Sequence, residues 1–395
     1  MNQIAEMLQR FTHSPEEYPF LARQTHRIMQ NGKTVNERIN INENIMHYVQ
    51  DTALLISRID GSLDAESRSP VPYDHVVYLD KSARPVSWLV NLFWNDFAWV
   101  RKDGSAAERP GHSYINIDRS PWFRNVGIEV TDDGRQKENG ELATYSDFIN
   151  NIHRLDRIHL ARIRALYVPG GIRDEDAEAV MAAPTVLSGK RVLIVDEVSR
   201  TGSTIKIAAK LFQLAFPDAA RIDGTYFWNA LEPPIRVGNE SMLTSLPVWY
   251  DPNTLTGRGI GGVDTDYYRD RYAYYLAQAG RIPSLDIPKL RTQAFSRTVF
   301  SAPLLNPDGS RLGLEKEKIT RELARDLVRL HRDYRNGAVF FTPPLDWPED
   351  RFEAAVKKQG LLLIDPDTRP GEDKAIRANP LFYPNFVQAL RTYTG

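Results

Sequence analysis

Arg191-Val-Leu-Ile-Val-Asp-Glu-Val-Ser-Arg-Thr-Gly-Ser-Thr204 is the stretch on which the reading of this chain turns. Its first half holds four consecutive apolar residues, three of them β-branched, directly after a Ser188-Gly189 turn. A short run of this kind, bounded by a turn, predicts a strand buried on both faces. The run ends in two adjacent acids, Asp196 and Glu197, and a hydroxyl-rich loop leads into an apolar periodic segment in which Ile207, Leu211 and Leu214 share one face. The unit therefore reads strand, loop, helix. The first turn of a helix presents unpaired N–H groups and the positive end of its dipole, which suits a phosphate. Gly202 permits close backbone approach to an anion, and Ser199, Thr201, Ser203 and Thr204 add hydroxyl donors. Two carboxylates beside such a seat would repel a bare polyphosphate. They make sense as acceptors for sugar hydroxyls or as neighbours of a divalent cation. The loop lacks the Gly-Lys-Ser/Thr ending of a Walker A motif.

Working outward, Asp74-His-Val-Val-Tyr-Leu-Asp80 and Ser113-Tyr-Ile-Asn-Ile-Asp118 are further strand candidates, with an aromatic-rich helix expected over 86–100. A long helix is expected over 145–165, another over 205–216, and strand-like runs recur at 224–228 and 246–250. Strands alternating with helices predict an α/β fold: a mainly parallel sheet flanked by helices. Residues 1–70 read as a mostly helical N-terminal extension, with Ile39, Met46, Val49, Ala53 and Ile56 at helical spacing, and 61–72 as a turn or linker. Residues 71–290 read as the core with a hood. Residues 296–395 read as a C-terminal helical region, where Ile319, Leu323, Leu327 and Leu330 repeat on a charged background.

The length of 395 residues exceeds one average domain, and 42% apolar with 26% charged residues is ordinary for a globular protein. A formal charge of −1 gives no global case for nucleic acid or an anionic membrane, so neither is an expected partner. No cysteine is present, which excludes disulfides, thiolate metal sites and a cysteine nucleophile. The N-terminal sequence shows no basic region followed by an apolar run, and no stretch approaches the ~20 apolar residues of a spanning helix. A cytoplasmic protein is the expectation, and a homodimer is compatible with it. His153 and His159 are six positions apart, on different helix faces, so no zinc site is expected.

The segment 192–204 resembles the signature of type I phosphoribosyltransferases, which bind 5-phosphoribosyl-1-diphosphate (PRPP). That signature is an apolar strand, two acids, an apolar residue, two variable residues, then Thr-Gly-x-Thr, and every fixed position is met. The resemblance implies that Asp196 and Glu197 hold the ribose 2- and 3-hydroxyls. It implies that Ser199, Arg200, Thr201, Gly202, Ser203 and Thr204 wrap the 5-phosphate. It further implies Mg²⁺ as cofactor, a nitrogen base as second substrate, and transfer of the phosphoribosyl group with release of diphosphate. Some proteins of this fold use the PRPP site as a sensor and catalyse nothing, which is the alternative expectation. In 6-oxopurine members an aspartate precedes the Thr-Gly pair; Arg200 stands there in this chain. That departure weakens a hypoxanthine or guanine acceptor.

The family also has a diphosphate loop after its first core strand, and Lys81-Ser82-Ala83-Arg84 occupies that place. A lysine and an arginine suit a leaving diphosphate as point charge and planar fork. The polar interval 119–142, with Arg119 and Arg124, lies where the family carries a mobile lid. Trp249 and Tyr250 are base-stacking candidates and Asp264 a metal-ligand candidate. Gly257-Arg-Gly-Ile-Gly-Gly262 matches a dinucleotide glycine pattern but lacks the strand before and helix after, so it reads as a loop.

Overall fold

The strands pair into two sheets. The computed structural model describes residues 9–23, 25–30, 33–38, 41–62, 71–80, 83–100, 104–117, 119–131, 134, 136–170, 177–197, 203–227, 235–236, 313–339, 351 and 354–355. The chain divides into two compact units, one comprising 71–84 and 108–245, the other 1–70, 85–107 and 246–395.

In the first of these units, β3 (His75–Asp80), β4 (Gly111–Asn116), β5 (Arg191–Asp196), β6 (Arg221–Tyr226) and the short β7 (Ile235–Arg236) form a sheet in the order β4-β3-β5-β6-β7. β3 to β6 run parallel, and β7 joins β6 antiparallel. The α/β architecture expected from the alternation is therefore present. Residues Val192 to Val195 of β5 are fully buried, as a strand apolar on both sides requires. Register pairs Tyr78 with both Tyr114 and Val195, and Asp196 with Tyr226. Val77, Leu79, Ile115, Val192, Ile194 and Ile222 face one core. Packed into it are Phe123, Phe148, Ile163, Tyr167 and the apolar face of the helix Ser203–Ala215.

Two intervals of this unit differ from expectation. The interval 119–142 is not a bare polar loop. It begins with α3 (Arg119–Asn125), whose Phe123 is buried with Val126 and Val130 beyond it. Arg119 donates through Nη2 to Ala143 O (2.7 Å), and Arg124 through Nη2 to Val130 O (3.2 Å). Bridges Val130↔Lys137 and Gln136↔Leu142 fold the rest back on itself. Gly134 sits at φ 65°, and a Cβ there would lie 2.7 Å from the Ser120 backbone nitrogen, so glycine alone fits this return. The expected single helix over 145–165 is two helices, α4 (Tyr145–Asn150) and α5 (Arg157–Ala165), with a 3-10 turn between. Thr144 and Asp147 form a capping box at the first, and Asp156 accepts from Ile158 N–H at the second. A second N-cap inside an apolar periodic run is what breaks it. The helices α6 (Ala177–Ala182) and α7 (Ser203–Ala215) complete the unit, and Pro217 follows the end of α7.

In the other unit, a 3-10 turn at Leu21–Arg23 precedes an antiparallel hairpin, β1 (Thr25–Gln30) and β2 (Lys33–Arg38), where helix was expected. The helix α1 (Ile41–Ile59) follows, burying Met46, Val49, Ala53 and Ile56 as their spacing requires; Ile39 lies outside the described residues. α2 (Arg84–Phe97) begins at the border between the units and contributes Phe93 and Phe97 here. α8 (Gly313–Arg335) buries Leu323, Leu327 and Leu330. Its Asp326 accepts from the backbone N–H groups of Phe20 (2.8 Å) and Leu21 (3.0 Å), and its Asp333 from the Tyr18 hydroxyl (2.8 Å). Asp96 of α2 meets His331 (2.8 Å) and Arg335 (3.3 Å) of α8. No helix among the described residues is long and apolar enough to cross a membrane.

Candidate functional site

The order of the strands selects one end of the sheet. The chain winds from β3 to its neighbour β4, then crosses to the opposite side of β3 to form β5 and β6. In such doubly wound sheets the loops leaving adjacent strands at the reversal diverge, and the crevice they leave at the carboxyl ends is the usual ligand seat. Here the reversal lies between β3 and β5. Their carboxyl ends are Asp80 and Asp196, so the two segments singled out by sequence, 81–84 and 196–204, both start from this place.

Asp196 ends β5 half-buried. Its Oδ1 accepts from the Glu197 backbone N–H at 2.8 Å, and its backbone oxygen accepts from Phe227 N–H at 3.0 Å. The first bond fixes one carboxylate oxygen against the following residue, and the second ties the strand end to the end of β6. Glu197 is 4% exposed. The two acids are thus unequal: Asp196 is the accessible carboxylate and Glu197 the sheltered one. Ser203 is buried at the first residue of α7, and Thr204 is half-buried next to it. Eight residues of α7, among them Ile205, Ala208 and Phe212, are buried, so the helix start is held firmly relative to the sheet.

On the β3 side, Ala83 is buried, and its N–H donates to Leu79 O at 3.0 Å. Arg84 opens α2, followed by Pro85, a residue suited to the first helical turn because it has no N–H to satisfy. The Arg84 guanidinium lies over the Tyr114 ring, 4.8 Å from its centroid. Tyr114 was not singled out by sequence; the one available signal was an aromatic residue on the alternating pattern of β4, two places before the strand ends. Of the residues expected at the site, Lys81, Ser82, Ser199, Arg200, Thr201, Gly202, Trp249, Tyr250 and Asp264 lie outside the described residues. Among the described residues no cluster of three or more His, Asp or Glu side chains could hold a metal ion by itself.

Chemically, the described part of the site offers an accessible carboxylate, a sheltered second one, and a helix start carrying two hydroxyls. A cation faces the neighbouring strand. That set can accept hydrogen bonds from a polyol and donate them to an anion a few ångströms away. Compared with protein-family models, with curated proteins and with solved structures, the chain finds no match.

Proposed function

We propose that this chain is a phosphoribosyltransferase of type I fold, transferring the 5-phosphoribosyl group between PRPP and a nitrogen base with release of diphosphate. One observation carries the reading. The segment whose residue order resembles the PRPP signature leaves the sheet at the reversal between β3 and β5, where doubly wound folds bind their ligands. The second candidate segment leaves the neighbouring strand at the same end.

In this reading the 5-phosphate sits at the start of α7 with Ser203 and Thr204, and with Ser199 to Gly202 from the loop before it. Asp196 accepts a ribose hydroxyl through its carboxylate, with Glu197 as its sheltered partner. Arg84 and Lys81 meet the diphosphate as it departs. Bond breaking at the anomeric carbon leads to an oxocarbenium-like cation, so the protein contributes orientation, charge complementarity and exclusion of water. No covalent nucleophile is required.

Mg²⁺ is compatible with this donor set, because that ion is normally held by one or two carboxylates together with substrate oxygens and water rather than by an all-protein cage. Asp264 is the candidate protein ligand, Asp196 would stand near the ion as the accessible carboxylate, and the ion when bound would neutralise charge on the leaving diphosphate.

The test is diphosphate release from PRPP with Mg²⁺ across a panel of purine, pyrimidine and pyridine bases. It is paired with calorimetric titration of PRPP into the wild type and the Asp196→Asn/Glu197→Gln double variant. Turnover with one base, lost in the folded double variant, is the expected result. Tight PRPP binding without turnover on any base identifies a sensor instead. Unchanged PRPP binding by the double variant overturns the assignment of these carboxylates.

A further inference from the structure

Three rings stand together on one face of the β3–β4 pair. Tyr78 and Tyr114 are register partners, with ring centroids 6.0 Å apart and planes tilted by 32°. His112 meets the Tyr114 ring edge-on at 5.7 Å and the Tyr78 ring at 6.4 Å. Tyr78 is buried, whereas Tyr114 is 36% exposed, and the Arg84 guanidinium covers it. Tyr114 is thus flanked by Tyr78 on the neighbouring strand and by His112 on its own, near the carboxyl end of the sheet. Arg84 lies four residues after the last residue of β3, and an arginine side chain in water samples many rotamers.

From this contact we infer that Tyr114 is a positioning residue for anion binding: its ring holds the Arg84 guanidinium in a set plane at the carboxyl end of β3. This role rests on the phosphoribosyltransferase reading, in which Arg84 meets the diphosphate of PRPP. A guanidinium held over a ring face by the cation–π attraction is restrained in where its N–H groups point. Ordering the cation before the ligand arrives removes part of the entropic cost of binding. Lysine lacks the planar fork that stacks and points in this way, so the pairing accounts for an arginine at this position. The effect acts through Arg84, because the Tyr114 ring contacts the guanidinium and the neighbouring rings Tyr78 and His112.

The experiment is calorimetric titration of PRPP with Mg²⁺ into the full-length protein and into five variants: Tyr114→Leu, Tyr114→Phe, Arg84→Lys, Arg84→Ala and Arg84→Ala/Tyr114→Leu. Tyr114→Leu is expected to weaken binding about three- to fivefold, the size of a partly exposed cation–π contact. Tyr114→Phe, which keeps the ring, restores it. Arg84→Lys, which keeps the charge but not the plane, weakens binding comparably and does so even if Tyr114→Leu fails to fold. The double variant binds no more weakly than Arg84→Ala, because the ring acts only through the guanidinium. In turnover, kcat/KM for PRPP falls in Tyr114→Leu and recovers in Tyr114→Phe. Equal PRPP affinity in wild type, Tyr114→Leu and Arg84→Lys overturns the positioning role and leaves the functional reading standing. So does an additive loss in the double variant. A wild-type protein that does not bind PRPP overturns the functional reading and this role with it.

Discussion

Arg164 grips Asp218 with both arms of its guanidinium, Nη1 at 2.7 Å from Oδ1 and Nη2 at 3.1 Å from Oδ2, from a position where Arg164 is only 3% exposed. The same guanidinium donates to the carbonyl oxygens of Ala183 (2.6 Å from Nη2) and Ala215 (2.8 Å from Nη1). Ala215 ends α7, and Ala183 follows the last residue of α6. A buried arginine thus satisfies acceptors at the ends of two helices at once, where the dipoles favour a positive charge. Through α7 it also braces the far end of the helix whose start is assigned to the phosphate.

Replacing Arg164 by alanine strands these carbonyls and leaves Asp218 with the Ser188 hydroxyl but without its cation. A loss of roughly 2–3 kcal/mol in unfolding free energy is expected, chiefly from the carbonyl groups left without a donor, since the Asp218 carboxylate is partly exposed to water. Arg164→Lys recovers only part, since an ammonium cannot span two helix ends and a carboxylate. Urea denaturation of both variants measures this. Equal midpoints for wild type and Arg164→Ala would show that the cluster contributes nothing.

The same pair sets an acid limit. Hydrogen bonding from Arg164 holds the Asp218 carboxyl down at about 2, with burial opposing and Ser188 assisting. A carboxylate depressed in the folded state stabilises fully above its unfolded value of 3.8 and loses that contribution as pH falls toward 2. Asp218→Asn should therefore narrow the difference in stability between pH 5 and pH 2 seen in the wild type. A pH profile of unfolding midpoints for the two proteins tests it.

His75 produces a second, separate acid sensitivity. Burial, with Lys190 and His112 nearby, lowers its pKa from 6.5 to about 4. Its Nε2 lies 3.0 Å from Ser113 Oγ, which in turn lies 3.0 Å from the Tyr167 hydroxyl. The folded protein keeps the ring neutral where the unfolded chain already binds a proton. Stability from this site is therefore complete above pH 6.5 and declines as pH falls toward 4. The loss amounts to about 3 kcal/mol once pH has fallen to about 4, because each tenfold difference in proton affinity between the folded and unfolded chain is worth about 1.36 kcal/mol. His75→Gln retains a polar group beside Ser113 and cannot titrate, so it should lose less stability than wild type between pH 7 and pH 4.5. Parallel losses in the two proteins would exclude His75 as the source.

What the sequence makes legible here is what is local along the chain. β5 could be read because four adjacent apolar residues need burial on both faces, and the acids and hydroxyls follow it without interruption. The same holds for the spacing of Leu323, Leu327 and Leu330 on α8. Contacts set by register were not legible: nothing along the chain brings Tyr114 to Arg84, since that depends on β4 pairing with β3 as Tyr78↔Tyr114. The hairpin over 25–38 had a signal that helical periodicity further on obscured, namely Asn31-Gly32 between Thr-His-Arg-Ile-Met-Gln and Lys-Thr-Val-Asn-Glu-Arg. The break in 145–165 was likewise written in Asp156, whose side chain competes for the backbone and starts a new helix.

Acids on an apolar face offer the last prediction. Asp326 and Asp333 lie three residues after Leu323 and Leu330 on α8, so helical geometry puts them on the buried side, and both are at most 8% exposed. A charge there is tolerated only with donors in place. Asp326 has them in Phe20 N–H and Leu21 N–H, and Asp333 in the Tyr18 hydroxyl. Asp326→Ala leaves two buried N–H groups without their acceptor and should cost about 2–4 kcal/mol, whereas Tyr18→Phe removes one donor and should cost about 1 kcal/mol. Asp326→Asn keeps an oxygen acceptor and falls between them. Hydrogen exchange at the Phe20 and Leu21 amides reads the same contact directly. Faster exchange there in Asp326→Ala, with β5 amides unaffected, is the expected pattern, and unchanged protection at both amides would refute the clasp.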